Sequence, residues 1–268
     1  MKLAWMTDIH LNFLEKTERL RFYQGMSKVI CDAYVISGDI AEADSVCPLL
    51  EEMQEIVFKP IYFVAGNHDY YKSDIATVKN NLTHLTQNPK HLYWLPALGP
   101  HRLEHDIFIT GQDGWADGRI GDYNQSPVEM TDSYIISDLQ QEKAVSRERL
   151  LLKMQALADI DAAQSERDLN KAIKEGAKKI LYVTHIPPFK ECCLYFGAYS
   201  SEALLPFITC KATGDVLLRT AQANPDIEFL VLCGHIHHES VFQPLDNLTV
   251  KAGKAKYRFP GLQEVVKV

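Results

Sequence analysis

Apolar residues along this chain gather into runs of four or five positions that then break into polar or glycine-bearing sequence. The runs 3–6, 34–37, 61–65, 107–110, 180–184 and 229–233 are rich in β-branched and aromatic residues, the composition of a strand covered on both faces. Between the early runs the spacing changes. In 18–30 the apolar residues Leu20, Phe22, Tyr23, Met26, Val29 and Ile30 recur near helical period, and 45–58 and 73–86 are similar. Strand alternating with helix predicts βαβ units and a largely parallel sheet, an α/β fold.

The middle of the chain departs from this rhythm. Residues 111–119 are polar and carry three glycines, which predicts a loop. From 137 to 176 the sequence is charged and helix-prone, with Leu150, Leu151, Met154, Leu157 and Ile160 at helical spacing and Gly176 as its stop. One or two long helices are expected there. The tail, 239–268, holds short β-like pieces broken by Pro244, Asn247, Gly253 and Pro260, read as antiparallel strands completing a sheet. No repeat or linker interrupts the pattern, so the expectation is a single domain over 1–268 with a mainly helical insertion around 112–178.

Composition narrows the class. A hydrophobic fraction of 46% over 268 residues suffices for a full core. With 28 lysines and arginines against 35 aspartates and glutamates, the net charge is −7. That balance argues against a protein that grips long nucleic acid, which needs a basic face. The six cysteines, at 31, 47, 192, 193, 210 and 233, form no Cys-x-x-Cys pair, which argues against a zinc ribbon or a thioredoxin-like site. The N-terminal apolar run is too short for a signal peptide, and no stretch reaches the length of a membrane span. A cytoplasmic protein is the expectation.

The candidate chemistry lies at the ends of the predicted strands. The first runs into Asp8-x-His10, the second into Gly38-Asp39, the third into Gly66-Asn67-His68-Asp69. Two later ones run into His185-Ile186-Pro187-Pro188 and Gly234-His235-x-His237. Open α/β sheets place their sites beyond the carboxyl ends of their strands, so these groups should converge in one cleft. Asp-x-His and His-x-His leaving a strand can aim alternate side chains to one side. Oxygen and imidazole donors without thiolate suit borderline divalent ions: Mn, Fe, Zn, Ni or Co. One carboxylate can bridge two ions about 3.5–4 Å apart. Taken singly, each motif also fits an ordinary turn or cap. Five of them in one chain, each at a strand end, are better explained by a dinuclear centre.

These residues together resemble the calcineurin-like metallophosphoesterase superfamily, in family order and over nearly the whole chain. The resemblance implies a four-layer α/β/β/α sandwich with two divalent metal ions at one edge of its sheets. It implies Asp8, His10 and His237 on one metal, Asn67, His185 and His235 on the other, and Asp39 bridging both. His68 would contact the phosphate and act as general acid, with Asp69 orienting it, while a metal-bridging hydroxide attacks phosphorus. Gly38-Asp39-Ile40-Ala41 lacks the continuation of protein serine/threonine phosphatases. Gly-Asn-His-Asp differs from the Gly-Asn-Arg-Asp of lipid A pathway pyrophosphatases. The pattern is most similar to class III cyclic nucleotide phosphodiesterases.

The implied function is hydrolysis of a small phosphodiester or phosphomonoester, with a nucleotide among the candidate substrates. A nuclease on the same scaffold and a non-enzymatic metal-binding interaction protein are the alternatives, and oligomerisation is open. Substrate choice is expected from Trp115, which can stack on a ring, and Arg119, which can pair with a phosphate, unless both belong to a solvated loop. The helices of 137–176 either cap the site or form a packing layer. Tyr70, Tyr71, Tyr195, Phe196 and Tyr199 are read as either cleft or core residues.

Overall fold

Alternation within single strands builds the layers. The computed structural model describes residues 1–88 and 90–268. In β1 (Lys2–Met6), Leu3 and Trp5 face one core while Ala4 and Met6 face another, and all four are buried. β2 (Ala33–Ser37) and β3 (Ile61–Val64) repeat the rule. Val35, Tyr62 and Val64 point with Leu3, whereas Tyr34, Ile36, Ile61 and Phe63 point with Met6. Helices α1 (Lys16–Ser27), α2 (Val46–Val57) and α3 (Ile75–Thr86) cover that second face through Tyr23, Met26, Leu50, Met53, Val78 and Leu82.

β4 (Leu92–Trp94) and the short α4 (Leu95–Leu98) lead into β5 (His101–Glu104) and β6 (Ile107–Gly111). α5 (Asp132–Ile135), α6 (Ser137–Val145) and α7 (Arg147–Lys174) follow, then β7 (Lys179–Val183). A hairpin of β8 (Leu194–Tyr195) and β9 (Ala198–Tyr199) precedes α8 (Lys211–Ala223) and β10 (Glu228–Cys233). β11 (Ser240–Leu245), β12 (Leu248–Ala252) and β13 (Glu264–Lys267) end the chain. The first sheet has the order β13-β1-β2-β3-β4 and the second β11-β12-β10-β7-β6-β5.

Ile109, Leu181, Val183, Leu230 and Leu232 of the second sheet meet Leu3, Trp5, Val35 and Val64 of the first in one shared core. Their alternate neighbours Phe108, Ile180, Tyr182, Phe229 and Val231 face α7 and α8. This is the four-layer α/β/β/α sandwich, and each fully buried aliphatic side chain in it contributes roughly 1.5–3 kcal/mol.

β1-β2-β3-β4 and β6-β7-β10-β12 pair in parallel, and antiparallel strands form every edge except that of β4. The tail does not complete one sheet. β11 and β12 extend the second sheet, whereas β13 crosses to the first and pairs antiparallel with β1. Pro244 is tolerated because β11 is an edge strand with a register shift between Phe242 and Leu245.

α7 is a packing layer rather than a cap. Its Leu150, Met154 and Ala158 join the core on the outer side of the first sheet, and Ala162, Leu169 and Ala172 join that of the second. Of the stretch 111–119, expected to be a loop, Gly111 ends β6 and 112–115 is irregular but buried. Asp113 accepts hydrogen bonds from the Ala65 amide (2.7 Å), the Tyr70 hydroxyl (2.6 Å) and Trp94 Nε1 (2.9 Å). Its own carbonyl accepts from the His185 amide at 2.9 Å. This segment therefore braces the ends of β3 and β7 from behind.

Candidate metal centre

All five motifs sit beyond the carboxyl ends of central parallel strands: β1, β2 and β3 of the first sheet, β7 and β10 of the second. The backbone leaves those ends in an unusual way. Asp8, His10, Asp39, His235 and His237 have φ of 49°, 40°, 52°, 71° and 55°. Left-handed conformations cost non-glycine residues about 1–3 kcal/mol each and persist where the surroundings impose them. Here they turn polar side chains out of each strand toward a common point. Gly66 and Gly234 permit the close approach of the strand ends. A Cβ on Gly66 would collide with the Asp39 carboxylate, and one on Gly234 with Thr7 Oγ1 and the Asp8 carboxylate.

Asp8, His10, Asp39 and His237 each offer a donor atom within 4.8 Å of the others. His237 Nε2 lies 3.2 Å from Asp8 Oδ1 and 3.3 Å from His10 Nε2. Asp8 is fixed by the Thr7 hydroxyl, which donates to its Oδ2 at 2.6 Å, and by the His235 amide at 3.1 Å. A second group stands beside the first. Asn67 Oδ1 is 3.0 Å from both His185 Nε2 and His235 Nδ1. Asp39 lies between the groups, with Oδ2 3.7 Å from His10 Nε2 and Oδ1 3.3 Å from His185 Nε2.

Among the ligand imidazoles, His185 has the distal support of a metal ligand, whereas His10 Nδ1 and His235 Nε2 are buried without a hydrogen-bond partner. His185 Nδ1 donates to the Ser37 carbonyl at 2.9 Å, which leaves Nε2 for the site. A backbone carbonyl on the distal nitrogen is the usual support of a metal-binding imidazole. Asn67 is oriented by a residue that sequence reasoning passed over. Its Nδ2 donates to Asp132 Oδ1 (2.9 Å) and to the Tyr71 hydroxyl (3.1 Å), and Tyr71 donates to the same Asp132 oxygen at 2.7 Å. That clamp turns Asn67 Oδ1 toward the two histidines. Asp132 opens α5, where an acid reads as an ordinary helix start. Asp132→Ala should weaken metal binding about 10- to 100-fold, as loss of such supporting partners does elsewhere. Metal titration checks this, and unaltered affinity would remove Asp132 from the site.

Electrostatics separate the imidazoles. Burial pushes His10 down to about 4 despite the carboxylates beside it. Burial, reinforced by His185, pushes His235 down to about 4. For His185, burial is overcome by Asp39 and Asp8, and its pKa rises to about 10. Burial also opposes ionisation of Asp8 and Asp39. The His237 hydrogen bond and His185 hold Asp8 below its ordinary value, and His185 and His68 hold Asp39 well below. At neutral pH the metal-free site thus contains two carboxylates, a charged His185, and His10 and His235 as free bases.

His68 stacks on Tyr71 at 4.2 Å and places Nε2 3.8 Å from Asp39 Oδ2, while its backbone amide donates to Asp39 Oδ1 at 2.9 Å. The expectation that Asp69 orients His68 needs correction. Asp69 is fully buried and accepts from the amides of Ile40 (3.0 Å), Ala41 (2.7 Å) and Gly66 (2.8 Å). Three backbone amides occupy both its oxygens and tie the loops after β2 and β3 together, and no hydrogen bond links it to the His68 ring. Trp115 and Arg119 are also elsewhere. Trp115 is buried against Tyr70, and Arg119 bonds Asp117 and Asp159.

Asp39, Asn67, His68, His235 and His237 open into a cleft of about 470 Å³. Its walls come from 129–131, from 194–208, and from Tyr71, His238 and Tyr257. Of the aromatic candidates, Tyr71 and Tyr195 line the cleft, and Tyr70 is core.

Comparison with known proteins places the chain in a family. The calcineurin-like phosphoesterase family matches residues 1–239. A Bos taurus "transmembrane protein with metallophosphoesterase domain" is 30% identical over 123 residues, 42% of this chain. The match spans only 27% of that protein's length. Among the described residues, no helix is long and apolar enough to cross a membrane. Two solved structures share the fold at a TM-score of 0.58. The phosphopantetheinyl hydrolase of Mycobacterium tuberculosis is 15% identical, with 94% of this chain and 89% of that one aligned. A dimetal phosphatase from Danio rerio is 10% identical, with 94% and 86% aligned.

Proposed function

Because this chain belongs to the calcineurin-like phosphoesterase family, a family of metal-dependent phosphoester hydrolases, we propose that it hydrolyses a small phosphodiester or phosphomonoester at a dinuclear centre. The observation that carries this reading is the pair of donor groups sharing Asp39, with His68 at their edge. Asp8, His10 and His237 would hold one ion and Asn67, His185 and His235 the other, with Asp39, which faces both groups, shared between them. The all-oxygen-and-imidazole donor set suits Mn, Fe, Zn, Ni or Co. When bound, two such ions lower the pKa of water and offset charge on the phosphate.

The remaining work falls to side chains. His68 protonates the leaving oxygen, and its stack on Tyr71 holds the ring at the cleft. The clamp of Asp132 on Asn67 and the bond of Ser37 to His185 keep the ligands oriented without reorganisation. The cleft volume suits a small molecule. One domain over 1–268, with 112–178 as its helical insertion, carries the activity. The unpaired state of all six cysteines supports a reducing cytoplasm as its location.

The test is metal removal. Protein stripped by a chelator and desalted should not hydrolyse bis-p-nitrophenyl phosphate or p-nitrophenyl phosphate. Restoring Mn should return turnover of at least one. Metal-replete protein inactive on a broad phosphoester panel would overturn the proposal.

A further inference from the structure

The cleft beside the metal centre has an unusual balance of charge and ring surface. Among the described residues, no lysine or arginine lines it. Its one glutamate, Glu129, is paired with Lys143 Nζ at 3.1 Å. The walls are instead mainly apolar and aromatic, with Met130, Leu204, Ile208, Tyr71, Tyr195 and Tyr257 beside the polar Thr131, Ser200 and His238. Tyr257 leans on the ligand rings, 4.5 Å from His10 and 5.0 Å from His237, yet remains 44% exposed. Tyr195 packs on His238 at 4.7 Å and is 57% exposed. Rings this exposed beside a polar centre are free to stack on a ligand.

The two ions would offset charge on either phosphoester class, so the side chains of the cleft wall have to distinguish them. A monoester carries about 1.5–2 negative charges at pH 7. A diester carries a single negative charge. Enzymes that bind the more highly charged phosphates commonly pair the extra oxygens with arginine or lysine. Beyond the ions themselves this cleft offers no such cation; Asp39 lies at its floor, and its other polar lining, apart from Glu129, is Asn67, Thr131, Ser200, His68, His235, His237 and His238. Resting on the hydrolase reading above, we infer that the substrate is a monoanionic phosphodiester bearing a flat apolar group, which Tyr257 and Tyr195 recognise by stacking. A volume of about 470 Å³ accommodates a phosphate with one or two ring-sized substituents.

Calorimetry on the Mn-loaded protein tests recognition with three probes: diphenyl phosphate, dimethyl phosphate and phenyl phosphate. Diphenyl phosphate should bind most tightly. Tyr257→Ala and Tyr195→Ala should each weaken it about tenfold, the scale of one lost stacking partner, and leave dimethyl phosphate within about twofold. Tyr257→Phe should restore wild-type affinity, because the ring and not the hydroxyl is at work. In parallel, kcat/KM should be higher for bis-p-nitrophenyl phosphate than for p-nitrophenyl phosphate. Tighter binding of phenyl phosphate, a faster monoester, or equal losses for the phenyl and methyl diesters in both alanine variants would overturn the inference. If neither nitrophenyl ester is cleaved, the hydrolase reading fails, and the order of affinities still decides recognition.

Discussion

Asp39→Ala is expected to empty both metal positions and to lower kcat/KM on the order of 10⁴-fold or more, since every catalytic contribution of the ions disappears together. The reason is position. Asp39 has one oxygen toward His10 and the other toward His185, so it is the single side chain common to both donor groups. It also accepts the His68 amide at 2.9 Å. Because removing that acceptor could disturb the loop, Asp39→Asn is the companion variant. It keeps shape and the hydrogen bond but lacks the charge that binds cations. Elemental analysis after desalting, with thermal melting as a check on folding, reads the outcome. A folded Asp39→Asn protein that retains two ions and normal turnover would refute the bridging role.

The same carboxylate sets the pH dependence of metal uptake. Against the effect of burial, Asp39 is the largest contributor raising His185 to about 10. Both His185 nitrogens face acceptors, Ser37 O and Asn67 Oδ1, as a doubly protonated ring requires. A metal takes the unprotonated Nε2, so the metal-free state binds one proton more than the loaded state. Raising pH through neutrality therefore favours loading, by up to about tenfold per pH unit below pH 10.

What the sequence made legible follows from chain-local geometry. Asp8-x-His10, Gly38-Asp39, Asn67-His68, His185 and His235-x-His237 each sit at the end of one strand, where position alone predicts convergence. The alternating layers were legible for the same reason. What escaped notice depends on contacts far apart in the chain. Asp132 reaches Asn67 across 65 positions, and Asp113 joins Ala65, Tyr70 and Trp94. Nothing local distinguishes such an aspartate from a turn residue, and for that reason 111–119 read as a solvated loop. β5, with sequence His-Arg-Leu-Glu, alternates exposed and half-buried positions at a sheet edge and lacks the apolar run that marks a central strand. The cleft walls were legible only in part: Tyr71 and Tyr195 were among the candidates and line the cleft, whereas Trp115 and Arg119 do not. Substrate choice was sought in 111–176, yet of that span only 129–131 lines the cleft, joined by 194–208 and Tyr257.

His68→Ala separates binding from chemistry, and for that reason its expected result is the more discriminating one. Its ring is a neighbour of the donor groups and belongs to neither. Nε2 is 3.8 Å from Asp39 Oδ2, and the ring packs between Tyr71 at 4.2 Å and His10 at 4.7 Å. The variant should keep both ions and lose about 10²- to 10⁴-fold in turnover, the usual contribution of a positioned general acid. Loss of turnover alone fits several roles, so the leaving group has to vary. A proton donor matters most when the departing oxygen is basic and least when it leaves readily as an anion. The penalty should therefore be small for a nitrophenyl ester and grow along a series toward alkyl leaving groups. A penalty independent of leaving-group pKa would make His68 a phosphate-binding residue rather than an acid. Loss of the metals along with turnover would instead place its ring among the ligands, and the division between holding the ions and breaking the bond would have to be redrawn.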